Sequence, residues 1–74
     1  MRIDWQRCVQ GILTSTGYGM RTVARIVGLR KREWVLEALA GGRIVEPPFM
    51  AGLKLLDWYQ ELFGDTATSG LRKR

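Results

Sequence analysis

Hydrophobic residues recur along most of this chain at the spacing of one face of an α-helix. They predict helices over about residues 4–15 and 20–27, from Arg30 or Lys31 to Leu39 or Ala40, and over about residues 48–63. No segment alternates long enough between apolar and polar residues to predict a strand. The pattern therefore predicts an all-α fold, a compact four- to five-helix bundle with a central helix-turn-helix.

Residues at the helix ends refine this prediction. Asp4 suits an N-cap, because its carboxylate can accept a hydrogen bond from a free helical N–H. Gly17, Gly28 and Gly64 follow helical segments, as glycines in the left-handed conformation commonly do. Gly11 lies inside the first helix, where it costs about 1 kcal/mol relative to alanine. We therefore expect it to mark a close contact between helices.

The last predicted helix is apolar around most of its circumference. Such a helix is either central in its own bundle or shared with a second subunit. Leu55, Trp58 and Leu62 are the expected seam of a homodimer. The remaining residues are small, polar and cationic, so we divide the chain into a domain at residues 1–64 and a mobile basic tail at residues 65–74.

Composition excludes several classes of protein. The chain has 74 residues, one cysteine and no histidine, so it holds one domain, no internal disulfide and no plausible zinc or haem site. Cys8 falls on an apolar stripe and is expected to be buried. No signal peptide or apolar run of ~20 residues is present. We expect no cofactor, no membrane contact and a location in the bacterial cytoplasm or nucleoid.

Charge is distributed unevenly along the chain. The formal net charge is +5. Residues 20–43 hold six cations and two carboxylates, a net of +4, whereas residues 44–65 hold one cation and four carboxylates, a net of −3. A basic centre beside an acidic segment indicates one face for a polyanion and a second face for another partner.

The order of the predicted elements resembles that of a known family of regulators. The residues that carry the likeness are Val23-Ala24, Val27-Gly28-Leu29, Val35, Ala38-Leu39 and the Pro47-Pro48-Phe49 start of the last helix. Over about residues 4–63, the chain is similar to the helical DNA-binding domains of the lambda-repressor and Cro family. This resemblance implies a phage or bacterial transcriptional regulator of repressor type. It implies a homodimer that binds double-stranded DNA with its second motif helix in the major groove.

The candidate DNA-binding residues surround the turn between the two motif helices. No Asn or Gln occurs in the second helix, so base and phosphate contacts are expected mainly from Arg30, Lys31 and Arg32. Arg21 and Arg43 are candidates for phosphate contacts, and Met20 and Thr22 are weaker ones. Trp34 either packs beneath the turn or points outward to a partner.

Other functions are open or less well supported. The same fold could be a protein-interaction module that binds RNA polymerase or another host factor. RNA binding is less favoured, because no aromatic platform is interleaved with the cations. We expect no enzyme, since the chain has no histidine, no reactive cysteine setting and no phosphate-binding loop. Gly17-Tyr18-Gly19 lacks the preceding strand and the third glycine of a dinucleotide site.

Overall fold

The four helices predicted from the pattern are present, and a fifth, short helix follows them. A computed structural model describes residues 2–73, with side chains from Ile3 to Leu71. Two short strands, which the sequence did not predict, pair antiparallel with Ile3 opposite Arg72. The bounds of the elements are β1 (Arg2–Ile3), α1 (Trp5–Thr16), α2 (Met20–Ile26), α3 (Glu33–Ala40), α4 (Phe49–Phe63), α5 (Asp65–Ser69) and β2 (Arg72–Lys73). The all-α bundle is confirmed.

Helix α1 is the centre of the bundle. Its Cys8, Val9 and Ile12 side chains are fully buried, and it packs against both α3 and α4. The Asp4 carboxylate accepts the Arg7 N–H at 3.2 Å, which confirms the predicted N-cap. Helix α4, which was expected to be central or shared with a second subunit, packs against α1 and α5.

Gly11 allows α1 and α4 to approach each other closely. A Cβ atom at Gly11 would lie 2.8 Å from Cε2 of Tyr59 and 3.4 Å from Cε2 of Phe63. The Tyr59 and Phe63 rings themselves pack with their centroids 4.5 Å apart. The expectation of a close helix contact at Gly11 is confirmed, and its physical reason is the missing side chain.

The inner face of α4 corrects the predicted dimer seam. Leu55 is fully buried, and its carbonyl accepts a 3.6 Å hydrogen bond from Sγ of Cys8. Trp58 and Leu62 are partly buried against the same core, and the Trp58 ring lies 6.1 Å from that of Tyr18. Leu55 cannot contact a second subunit, because α1 already covers it.

Residues 65–73 belong to the fold, which corrects the expected mobile tail. Gly64 connects α4 directly to α5, and the Leu71 side chain is fully buried. The Asp4 N–H donates to the Leu71 carbonyl at 2.6 Å, next to the pairing of β1 with β2. One buried leucine and a backbone ladder thus hold the end of the chain to its beginning. The side chains of Arg72 and Lys73, and all of Arg74, lie outside the described residues.

Candidate nucleic-acid interface

A glycine ends α2 and directs the chain into the turn. Gly28 has a φ of +87°, a conformation that costs a residue with a side chain about 1–2 kcal/mol. The Leu29 N–H donates to the Ala24 carbonyl at 2.7 Å, and the Gly28 N–H donates to the Arg25 carbonyl at 3.4 Å. These two bonds form a Schellman motif. Leu29 is buried behind it, so the turn is anchored to the core.

Helix α3 begins later than the sequence suggested. The Arg32 N–H donates to the Leu29 carbonyl at 2.9 Å, which closes a turn over residues 29–32. Arg32 has the non-helical angles φ −136° and ψ 46° and is the N-cap, so the helix starts at Glu33 rather than at Arg30 or Lys31. Cations in a first helical turn would oppose the helix dipole. The connection of six residues, 27–32, exceeds the about 3–4 residues usual for the motif.

The cationic turn, which we define as Arg30, Lys31 and Arg32, is open to solvent. All three side chains are exposed. In the part of the chain that the structure describes, none of them forms an ion pair. Their charges are therefore available to an external anion. Because Leu29 is fixed in the core, the cations are held at one place on the surface rather than on a loose loop.

Arg21 lies beside the cationic turn. Its Nε is 3.3 Å from Oε1 of Glu33, and its side chain is 82% exposed. This ion pair joins the first turn of α2 to the first turn of α3, so Arg21 and Arg32 occupy the same side of the domain. An exposed pair of this kind stabilises by only about 0–1 kcal/mol, and a phosphate can therefore compete with Glu33 for Arg21. Thr22 is exposed nearby, whereas Met20 packs partly against the core.

Arg43 lies at the opposite end of α3. A second Schellman motif ends this helix: Gly42 has a φ of +81°, and the Arg43 N–H donates to the Ala38 carbonyl at 2.9 Å. Eight helical residues separate Arg32 from Gly41, about 12 Å along the helix axis. The structure therefore brings Arg21 and the cationic turn together and places Arg43, although exposed, away from them.

The outer face of α3 carries residues that the sequence analysis left undecided or overlooked. Val35, Leu36, Ala38 and Leu39 are buried, while Trp34 is 59% exposed. Trp34 thus points outward and does not pack beneath the turn. Glu37 is exposed one turn farther along the same face. The spacing i, i+3 of Trp34 and Glu37 was the available signal, because residues at this spacing share a helix face.

Burial determines the state of the thiol of Cys8. Burial, together with the nearby Asp4 carboxylate, raises the pKa of the Cys8 thiol from its ordinary value of 9.0 to about 12. A thiol in this state is a poor nucleophile. Among residues 3–71, no group of three or more His, Cys, Asp or Glu side chains could hold a metal ion. Within residues 2–73, no helix has the length and apolar character for crossing a membrane.

The surface formed by α2, the cationic turn and α3 is thus basic at one end and carries an exposed tryptophan and a carboxylate along α3. Comparison of the chain with protein-family models, curated proteins and solved structures finds no match.

Proposed function

We propose that this protein is a sequence-specific double-stranded DNA-binding regulator of transcription. The observation that carries the proposal is the cationic turn: three consecutive exposed cations, held by a buried leucine between two packed helices. Their charges are not neutralised by the described side chains. Phosphates supply much of the affinity in protein–DNA complexes, and each one neutralised releases counterions.

The proposed contacts follow from the chemistry of the cations. Arginine can donate two parallel hydrogen bonds to O6 and N7 of guanine, whereas lysine acts on phosphate as a point charge. We assign Arg30 and Arg32 to base edges and Lys31 to a phosphate. When DNA binds, Arg21 would leave its ion pair with Glu33 and contact a phosphate. Arg43 lies at the far end of α3 and would reach a phosphate only if the helix lies lengthwise in the groove.

The start of α3 adds a second attraction for DNA. No side chain in the described part of the chain caps this helix. The N–H groups of its first turn therefore have no side-chain acceptor, and helix N-termini favour phosphate oxygens. An α-helix has a diameter of about 10–12 Å, which fits the ~12 Å major groove of B-DNA. In that position Trp34 would contact apolar groups such as the thymine methyl, and Glu37 would accept from cytosine N4.

A pair of matched variants tests the proposal. Arg30→Ala with Arg32→Ala removes two cations from the turn, and Arg7→Ala with Arg25→Ala removes two exposed cations to which no contact is assigned. Both variants have the same net charge. Fluorescence anisotropy with labelled duplexes, including the DNA that flanks the protein's own gene, would measure their affinities at one salt concentration.

We expect the turn variant to lose at least ~30-fold in affinity, on the basis of about 1–3 kcal/mol for each good arginine–guanine contact. The control should lose no more than about threefold, because it changes only the long-range field. Equal losses in the two variants, or no binding of any duplex by the unmodified protein, would contradict the proposal.

A second candidate function rests on the outer face of α3. Trp34 is 59% exposed, and Glu33 and Glu37 lie near it on a helix that would enter a polyanionic groove. Tryptophan is enriched at the centres of protein interfaces. The rival is a protein-interaction module that binds RNA polymerase or another host factor. A pull-down of polymerase after nuclease treatment separates the two. A complex that survives the nuclease and that Trp34→Ala abolishes would favour the rival, whereas a complex that the nuclease releases would favour DNA as the ligand.

A further inference from the structure

One exposed face of α4 remains without a partner in the structure. Phe49 is 77% exposed, Met50 61% and Leu53 47%. The residues Ala51, Gly52, Leu55 and Tyr59 on the other side of the helix are buried. We define the α4 stripe by its exposed members, which are Phe49, Met50, Leu53, Lys54, Asp57, Gln60, Glu61 and Phe63.

The residues along the two edges of the stripe are complementary to those of a second, antiparallel copy of the stripe. Phe49 and Phe63 are two heptads apart and therefore lie on nearly the same line along α4. Lys54 and Glu61 are one heptad apart and lie along the opposite edge of the stripe, with Leu53 and Asp57 between the two edges. In an antiparallel pair related by a two-fold axis, each edge faces the same edge of the partner. Aromatic residues then meet aromatic residues, and Lys54 meets the acidic end of the partner's stripe.

The charges of the stripe support this arrangement. Lys54 is exposed and, among residues 3–71, forms no ion pair, although Asp57 lies three residues away on the same helix. Antiparallel overlap of the two helices along their length brings Lys54 of each protomer close to Glu61 of the partner subunit. The two-fold axis repeats this pair, so the contact contains two such ion pairs and closes on itself.

The area of the stripe is sufficient for a stable dimer. Its four apolar side chains expose roughly 400 Å², at about 150–250 Å² for a fully exposed large side chain. A pair therefore offers about 800 Å² of apolar side chain. At the roughly 65% non-polar area of homodimer interfaces, this corresponds to about 1,200 Å² in total, which is at the lower end of specific interfaces and above the ~800 Å² of most crystal contacts.

We infer that the occupant of the α4 stripe is a second copy of this chain, packed antiparallel through α4. This interface replaces the seam expected at Leu55, Trp58 and Leu62. The stripe shares no residue with the cationic turn. The inference does not depend on the proposed function, because it concerns the protein in the absence of DNA.

Sedimentation equilibrium without DNA tests the interface. Leu53→Glu places a charge at the centre of the stripe, and Ile26→Glu is its matched control, since Leu53 is 47% and Ile26 48% exposed. We expect Leu53→Glu to raise the dimer dissociation constant at least ~30-fold, the effect of losing a central interface residue. Ile26→Glu should change it by less than about threefold. A wild-type monomer at ~1 mM, or equal effects of the two variants, would overturn the inference.

A charge exchange tests the antiparallel arrangement. Lys54→Glu alone should weaken the dimer by about fivefold, and adding Glu61→Lys should restore most of the loss, as expected for an ion pair at an interface rim. These residues are exposed, so circular dichroism should show unchanged helix content. A dimer that Lys54→Glu weakens and Glu61→Lys weakens further would overturn this arrangement.

Discussion

Leu71→Ala tests whether the end of the chain is an integral part of the fold. The Leu71 side chain is fully buried, and the substitution removes three carbon atoms. Their transfer from water contributes about 2.4 kcal/mol at ~0.8 kcal/mol each. The residual cavity brings the expected loss to about 3 kcal/mol, within the range for buried leucines. A chain of 74 residues has a free energy of unfolding of about 4–11 kcal/mol at typical values per residue. This one side chain therefore supplies a large part of the stability.

Urea denaturation followed by circular dichroism measures the loss, and Ile26→Ala is the control. Ile26 is 48% exposed and lies outside the α4 stripe, so its truncation should cost less than about 1 kcal/mol. In thermal unfolding, Leu71→Ala should lower the Tm by roughly 12–24 °C, at about 4–8 °C per kcal/mol for a domain of this size. Equal, small effects of the two substitutions would refute the docking of residues 65–73 on the core.

Two further predictions concern the turn and the buried thiol. Gly28→Ala should lower the free energy of unfolding by about 1–2 kcal/mol, because φ at Gly28 is +87°. Gly28→Asn should lower it by less, since asparagine tolerates a positive φ better than alanine does. Equal stability of the wild type and both variants in urea denaturation would contradict the positive φ at this position. Burial raises the pKa of Cys8 from 9.0 to about 12, so the thiol ionises first in the unfolded chain. Its contribution to stability is complete below pH 9 and falls by up to about 1.4 kcal/mol per pH unit between 9 and 12. Cys8→Ala should lack this decline, and parallel pH profiles of the two proteins would contradict it.

The sequence predicted the four longer helices because each carries an apolar stripe. The ends of α1 and α2 agree with the predicted ones within about two residues, since Asp4 and Gly28 provide recognisable caps. The start of α3 was predicted two to three residues too early. The hydrogen bond from the Arg32 N–H to the Leu29 carbonyl decides that boundary. Such a bond depends on the burial of Leu29, which the pattern of residues 30–32 does not reveal.

Two parts of the fold were not predictable from periodicity. Leu71 is a single large apolar residue among polar ones, so no stripe marked α5 or the pairing of β1 with β2. The faces of α4 were ambiguous, because apolar residues occur around most of the helix. Which face is buried depends on α1, where Gly11 admits the Tyr59 ring. Leu55 was therefore assigned to a subunit contact, while the exposed Phe49 and Met50 were not.

The candidate interface was predicted in composition but not in arrangement. The sequence supplied the cations, and the structure shows all of them exposed. The sequence did not reveal that Arg21 pairs with Glu33, that Trp34 points outward, or that Arg43 lies at the far end of α3. The first two features depend on how α3 packs against other helices, and the third depends on the length of α3.

The salt dependence of duplex binding tests the central claim, namely that the cationic turn binds DNA. The slope of log K against log salt changes by about 0.9 for each phosphate contact. We expect a steep slope for the unmodified protein. Lys31→Ala should reduce it by about 0.9, and Arg7→Ala, on α1, should leave it unchanged. A slope near zero for the unmodified protein, or the same reduction in both variants, would contradict the claim.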